Sequence, residues 1–208
     1  MSDIVFLLDE STSMLPQVKS YIKGVNTLLT TQKKVNPEAN FSMFKFSYQV
    51  KTVCIDSIMR TLPEFTSSYY MPNGITALYD AIGHVIDVKF NSEKQVIAII
   101  LTDGEDNHSS KYNLQTISQK INYVKSKNWF FVYIAANQNS QIIGNQLGIE
   151  TCLTYNETDK SIDDVASACS IAIGHAMYKH SGVPNQYSQK EMPTDVRDLM
   201  DDLKNFTI

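Results

Sequence analysis

The chain has 208 residues, with 18 Lys and Arg against 22 Asp and Glu, a formal net charge of −4, and 43% apolar side chains. A net acidic chain lacks the electrostatic footprint of non-specific nucleic-acid or acidic-membrane binding, and a chain of this length forms a core without disulfides or a structural metal. Its longest strictly apolar runs, such as 96–101, fall far short of the roughly 20 residues that span a bilayer, so a soluble protein is expected.

The run Ile4-Val5-Phe6-Leu7-Leu8 is apolar on both faces, as a central parallel strand covered by helices on each side should be, and Asp9 ends it. A helix follows, with Pro16 in its first turn and Val18, Tyr21, Ile22, Val25, Leu28 and Leu29 at helical spacing. Residues 41–46 and 50–55 are strand-like and separated only by Ser47-Tyr48-Gln49. That connection is too short for a crossover helix, so it predicts an antiparallel hairpin at one edge. After an irregular stretch over 59–75, Thr76 is placed as the N-cap of a helix with Leu78, Ala81, Ile82, Val85 and Ile86 on one face. Two further strand and helix pairs are 96–101 with Leu114, Ile117, Ile121 and Val124, then 129–135 with Ile142, Ile143 and Leu147. Trp129 and Phe130 open a buried strand, where core packing is their role.

A last strand at 152–155 precedes a helix announced by the capping-box-like Ser161-x-x-Asp164, with Ile162, Val165, Ala166, Cys169, Ala172, Ile173, Ala176 and Met177 inward. Residues 1–180 are read as one domain. Residues 181–208 are read as a linker and a short acidic amphipathic helix outlined by Val196, Leu199, Met200 and Leu203. The alternation of β and α segments predicts an α/β fold with a parallel sheet.

Cys54, Cys152 and Cys169 form an odd set without CxxC spacing, in apolar or small-residue contexts, which is the usage of buried thiols in a reducing cytoplasm. Met1-Ser2-Asp3 enters a strand-like run without a positive leader or a small-residue cleavage site, so no secretory signal is expected. A cytoplasmic location is the resulting expectation.

Ligands of open α/β sheets bind beyond the carboxyl ends of the strands. Three such places here carry oxygen groups: Asp9-Glu10-Ser11-Thr12-Ser13, Gly74-Ile75-Thr76, and Thr102-Asp103-Gly104-Glu105-Asp106. Carboxylates and hydroxyls without His or Cys suit Mg²⁺, Mn²⁺ or Ca²⁺ rather than zinc. Each residue also has a local reading. Asp9 could merely end a strand, Ser11 or Ser13 could cap the first helix, and Thr76 could cap a later one. Glu105 and Asp106 read as a solvated turn at the rim, ahead of a second metal site.

Asp9-x-Ser11-x-Ser13, a distant Thr76 and a later Asp103-Gly104 resemble the metal-ion-dependent adhesion site of von Willebrand factor type A domains. Phe46-Ser47, Tyr70-x-Pro72-x-Gly74-x-Thr76-Ala77-Leu78 and Ile99-Ile100-Leu101-Thr102-Asp103-Gly104 share the resemblance, which covers about residues 3–180. It implies a Rossmann-like doubly wound, mostly parallel sheet of order 3-2-1-4-5-6 with one antiparallel edge strand and helices on both faces. It also implies Ser11, Ser13 and Thr76 as neutral metal ligands, with Asp9 and Asp103 binding directly or through water, and an open position for the Asp or Glu of a protein partner. Intracellular relatives work beside AAA ATPases or in ubiquitin, repair and stress-response complexes. Ile75 departs from the family, which often has a second glycine there; a stiffer loop and a more apolar ligand face follow.

The histidines offer little for catalysis. His84 stands one helical turn from Asp80 as a surface pair, and His175 and His180 sit near a helix C-terminus. His108, five residues after Asp103, is closest to the site. A divalent-metal-dependent protein-binding module, not an enzyme, is therefore the favoured function. The alternative is a Mg²⁺-dependent phosphatase of the haloacid dehalogenase type with Asp9 as nucleophile. That class needs a second aspartate where Ser11 stands, and a hydroxyl is no general acid near neutral pH. No GxGxxG or GxxxxGK[ST] follows any strand, and no GxSxG elbow surrounds Ser11 or Ser13.

Overall fold

The computed structural model describes residues 2–136 and 140–155, together with positions 166, 167, 169, 170, 172–174 and 176, which are helical. The strands are β1 (Ser2–Asp9), β2 (Asn40–Phe46), β3 (Val50–Ile58), β4 (Gln95–Thr102), β5 (Trp129–Ala136) and β6 (Thr151–Tyr155). All eight residues of β1 are buried, and so are all eight of β4, as two-sided cover demands of central strands. β1 pairs in parallel with both β2 and β4, and β5 joins β4 and β6 in parallel. β3 closes one edge antiparallel to β2, completing the order β3-β2-β1-β4-β5-β6. This is the expected 3-2-1-4-5-6 sheet with its antiparallel edge.

The two-residue period of β1 divides its side chains between two cores. Ile4, Phe6 and Leu8 point into a layer shared with α1 (Val18–Val35) and with Cys169 and Ile173 of the C-terminal helical positions. Val5 and Leu7 point into the opposite layer, beneath α2 (Leu78–Lys89) and α3 (Leu114–Lys125). The inward positions Ala166, Cys169, Ala172, Ile173 and Ala176 are all buried. Ile162, Val165, Met177, the Ser161 start, His175, His180, the domain boundary near 180 and the 181–208 tail lie outside the described residues.

Local details correct several expectations. Pro16 lies in a 3-10 turn, Thr12–Gln17, ahead of α1 rather than in its first turn. Ser11 stands at the N-cap of that turn without a side-chain capping bond, so its hydroxyl is directed elsewhere. Ala77, not Thr76, is the N-cap of α2. The free N–H groups there are satisfied from the loop after β4: Tyr79 N–H donates to Asp106 Oδ1 at 3.1 Å and Asp80 N–H to Ser109 Oγ at 3.0 Å. The acidic turn thus caps a helix. Asp80 in turn accepts the N–H groups of Ser110, Lys111 and Tyr112, while His84 meets the Phe44 ring edge-on at 5.9 Å, so no Asp80–His84 pair forms. α3 starts with a capping box, Asn113 with Thr116. Trp129 is buried and stacks on Phe131, and Phe130 is half-buried.

On α4 (Ser140–Leu147) the inward face is rotated by about a residue from expectation. Ile142 is exposed, while Ile143 is half-buried and Gly144 and Leu147 are buried. Gly144 decides this, because a Cβ there would lie 2.2 Å from Cys152 Sγ on β6. Gly144→Ala is expected to lower stability by about 1–3 kcal/mol through overpacking. Cys152→Ala should restore part of it, which denaturant midpoints of the two single variants and the double variant will measure.

Cys54 and Cys152 are half-buried and Cys169 is buried, all as free thiols. Burial raises all three, Cys152 up to about 11. Among the described residues no helix is long and apolar enough to cross a membrane.

Candidate metal centre

β1 and β4 run side by side with Leu8 opposite Leu101, so Asp9 and Thr102 leave the sheet together. Thr102 Oγ1 donates to Asp9 Oδ2 at 2.6 Å, and Ser11 N–H donates to Asp9 Oδ1 at 2.7 Å. The second bond is the turn an aspartate makes with the backbone two residues on. It directs Ser11 Oγ to within 3.0 Å of Ser13 Oγ, and Ser13 Oγ donates to Asp103 Oδ1 at 2.7 Å. Asp9, Ser11, Ser13 and Asp103, the last two separated by 90 residues, therefore form one continuous hydrogen-bonded row.

Thr76 comes from a separate loop and is buried, with 3% exposure. Its carbonyl accepts the N–H groups of Asn107 and His108 at 2.9 and 3.2 Å, and its own N–H donates to Asn107 Oδ1 at 2.9 Å. This pins it to the loop that follows Asp103; the Cβ position of Gly104 lies 3.8 Å from Thr76 Oγ1. His108 contributes its backbone here, and the residue is exposed. The structure thus brings all five expected residues to the same end of the sheet.

The loop carrying Thr76 is also tied to the first one. Thr12 N–H donates to the Gly74 carbonyl at 3.0 Å, and Gly74 N–H to Thr12 Oγ1 at 2.9 Å. Gly74 has φ +95°, which side-chain-bearing residues rarely adopt. Ala77 N–H donates to the Ser47 carbonyl at 2.8 Å, which adds the β2–β3 turn to the same assembly.

Asp9 is fully buried. Burial pushes its carboxyl up to about 6 against the hydrogen bonds from Thr102 and Ser11, and the nearby Asp103 charge pushes the same way. Tyr70, also buried, donates its hydroxyl to the Asp9 carbonyl at 2.8 Å.

The residue the sequence reading missed is Glu10. Its side chain is 2% exposed and faces Lys45 Nζ at 2.7 Å and Lys51 Nζ at 3.1 Å. Met71 N–H donates to the same carboxylate at 3.1 Å, Asn73 N–H to the Glu10 carbonyl at 2.8 Å, and Lys45 Nζ also reaches the Tyr69 carbonyl. Burial alone would raise the Glu10 carboxyl, but the bonds from Lys45, Met71 and Lys51 outweigh it and hold it below its ordinary value. Glu10 therefore fastens the segment from Tyr69 to Asn73, just ahead of Gly74 and Thr76, onto the end of β1. No local pattern announces this, because Lys45 enters only through the register that sets it beside Leu8.

A family model for the von Willebrand factor type A domain matches residues 3–165. No curated protein matches the chain. Among solved structures, proximal thread matrix protein 1 of the mussel byssus is 20% identical, covering 83% of this chain and 48% of that one, with a TM-score of 0.62. The SpRpn10 VWA domain is 12% identical over 83% of this chain and 96% of that one, with a TM-score of 0.64. The manganese-loaded TRAP protein of Plasmodium vivax is 17% identical over 85% and 73%, with a TM-score of 0.61. The chain spans about half the length of the mussel protein, and at these identities the likeness concerns the fold. With the family match covering most of its length, this chain belongs to the von Willebrand factor type A domain family, whose members generally mediate protein–protein interactions and are usually not enzymes.

Proposed function

We propose that the chain is a protein-binding module that holds one divalent cation and recognises an acidic residue of a partner protein there. Ser11, Ser13 and Thr76 supply neutral hydroxyl ligands, and Asp9 and Asp103 bind directly or through water. The observation that carries this reading is the row at one end of the sheet in which the Ser11 N–H holds the fully buried Asp9 and the Ser11 and Ser13 hydroxyls lead on to Asp103. The donor set fits a hard cation. It is all oxygen, and its two carboxylates repel each other and leave Asp9 raised by burial, a cost that a positive charge between them would relieve. Among the described residues no group of three or more His, Cys, Asp or Glu side chains is gathered, so a centre of this kind rests on hydroxyls.

Bound there, Mg²⁺, with Mn²⁺ or Ca²⁺ as substitutes, supplies an electrophilic position for a carboxylate. Thr102 and the Ser11 N–H fix the orientation of Asp9; Asn107 and the His108 N–H fix the backbone of Thr76; Glu10 secures the loop ahead of it. The manganese-loaded TRAP structure supports a divalent ion in this fold. A cytoplasmic complex, an AAA ATPase among its candidate components, is the setting we propose, on the strength of the free thiols. Nothing favours phosphatase chemistry: both Asp9 oxygens accept hydrogen bonds, and Ser11 stands where the acid is required.

Calorimetry tests the reading. Wild-type protein is expected to bind one Mg²⁺ or Mn²⁺ with a Kd on the order of 0.1–1 mM, because few charged groups ligate directly. Thr76→Ala and the Ser11→Ala, Ser13→Ala pair should give no heat while remaining folded. Absence of heat in the wild type, or undiminished heat in the variants, would discard the site.

A further inference from the structure

We infer that the acidic residue recognised at this site is flanked by apolar side chains, and that Leu15, Tyr48, Met71 and Ile75 form the rim that selects it; the inference rests on the metal-bridged reading above. Eleven large apolar residues are exposed among the described residues, and these four, at 51%, 53%, 69% and 42%, come from three separate segments of the sequence. They nevertheless share one end of the sheet. Leu15 follows Ser13 in the 3-10 turn, Ile75 precedes Thr76, Met71 is fastened through its N–H to Glu10, and Tyr48 sits in the β2–β3 turn. The bonds between Thr12 and Gly74 and from Ala77 to Ser47 hold these loops together, and the Cβ position of Gly74 is 3.0 Å from the Tyr48 ring. Tyr69, also exposed, is not counted, because its ring stacks on Phe65.

Single exposed apolar residues need no explanation, whereas several on one rim mark an interaction surface. The charge pattern says what it faces. Lys45 and Lys51, two cations near this rim, are engaged by Glu10. The opposite rim carries the exposed Glu105. The side chains gathered at the site itself add carboxylates, Asp9 and Asp103, so the cation is the main attraction for a partner carboxylate, and Leu15, Tyr48, Met71 and Ile75 offer apolar contacts beside it. The glycine that the family often has beside the threonine is here Ile75, which adds a side chain to that rim. Burying one or two such side chains is worth about ten-fold or more in affinity.

Fluorescent peptides probe this directly, with Asp placed between two leucines or between two glycines, and anisotropy read at millimolar Mn²⁺ and after chelation. The leucine-flanked peptide is expected to bind at least ten-fold more tightly. A Met71→Ser, Ile75→Ser variant, which removes the apolar side chains without loosening the backbone beside Thr76, should lose that preference while its calorimetric Mn²⁺ binding is unchanged; Ile142→Ser, exposed elsewhere, should keep it. Equal, metal-dependent binding of both peptides would overturn the apolar rim and leave the metal-bridged reading standing. Undiminished binding of the leucine peptide after Asp→Asn, or after chelation, would show a rim that does not act with the cation and would overturn the inference. If neither Asp peptide binds in Mn²⁺, both it and the acidic-ligand reading fall.

Discussion

Asp9→Asn is expected to abolish Mg²⁺ binding and, with chelator present at pH 7.5, to raise the melting temperature of the protein. Asp9 is fully buried and its carboxyl is pushed up to about 6 in the fold, against an ordinary value of 3.8. The stability this group contributes is therefore fully present below about pH 4 and is lost as pH rises through about 6. At pH 7.5 the ionised carboxylate costs about 2–3 kcal/mol at about 1.4 kcal/mol per pH unit, which for a domain of this size is roughly 5–10 °C. Asparagine keeps an oxygen for the Ser11 N–H, and the Thr102 hydroxyl can turn to accept from the amide. In the wild type, a proton and the cation compete for the same group, so Mg²⁺ affinity should fall below about pH 6 with close to one proton released per ion bound. Thermal scans in chelator and titrations at two pH values decide it. A melting temperature that falls on Asp9→Asn, or Mg²⁺ affinity flat between pH 5 and 7.5, would contradict the account.

Glu10→Ala should be the most damaging single change near the site. It leaves Lys45, whose side chain is 12% exposed, without its carboxylate partner and frees the Met71 N–H. Removing one member of a buried ion pair costs about 3 kcal/mol, the low end of the usual range being appropriate because the Lys51 side chain is 58% exposed. The consequence for function is larger than the stability loss. The segment leading to Gly74 and Thr76 loses its attachment to β1, so divalent-ion heat should weaken although no ligand has been altered. A double-mutant cycle with Lys45→Ala isolates the pair, and the two substitutions should be strongly non-additive. Additive losses, or Glu10→Ala protein with full stability and unchanged ion binding, would show that Glu10 does not hold the loop.

The legibility of this chain differed from element to element. The two-sided apolar strands 4–8 and 96–101, and the three residues between the hairpin strands, carried enough information for the whole sheet order once their resemblance was noted. The same strand ends pointed to Asp9, Ser11, Ser13 and Asp103, the resemblance added Thr76 ahead of a helix, and the structure gathers the five at one end of the sheet. Errors appeared where a local signal had a stronger tertiary competitor. Thr76 looks like a helix cap, but Asp106 and Ser109 satisfy the start of α2 from another loop. Ile142 fits an apolar stripe, but the close approach of Cys152 at Gly144 turns the helix so that Ile142 faces outward.

What the sequence alone determined is therefore periodic or sequential: strand and helix segments, the antiparallel edge, and the oxygen-bearing residues that stand just beyond strand ends. These follow from side-chain alternation and chain reach, which are properties of neighbouring residues. Only the tertiary structure decided that Ser13 meets Asp103, that Thr102 holds Asp9, that Glu10 is a buried anchor rather than a solvated carboxylate, and that the loops bearing Thr12, Ser47 and Gly74 are tied to one another. Those facts depend on parallel register between strands dozens of residues apart, where a shift by one position would exchange every inward side chain for an outward one.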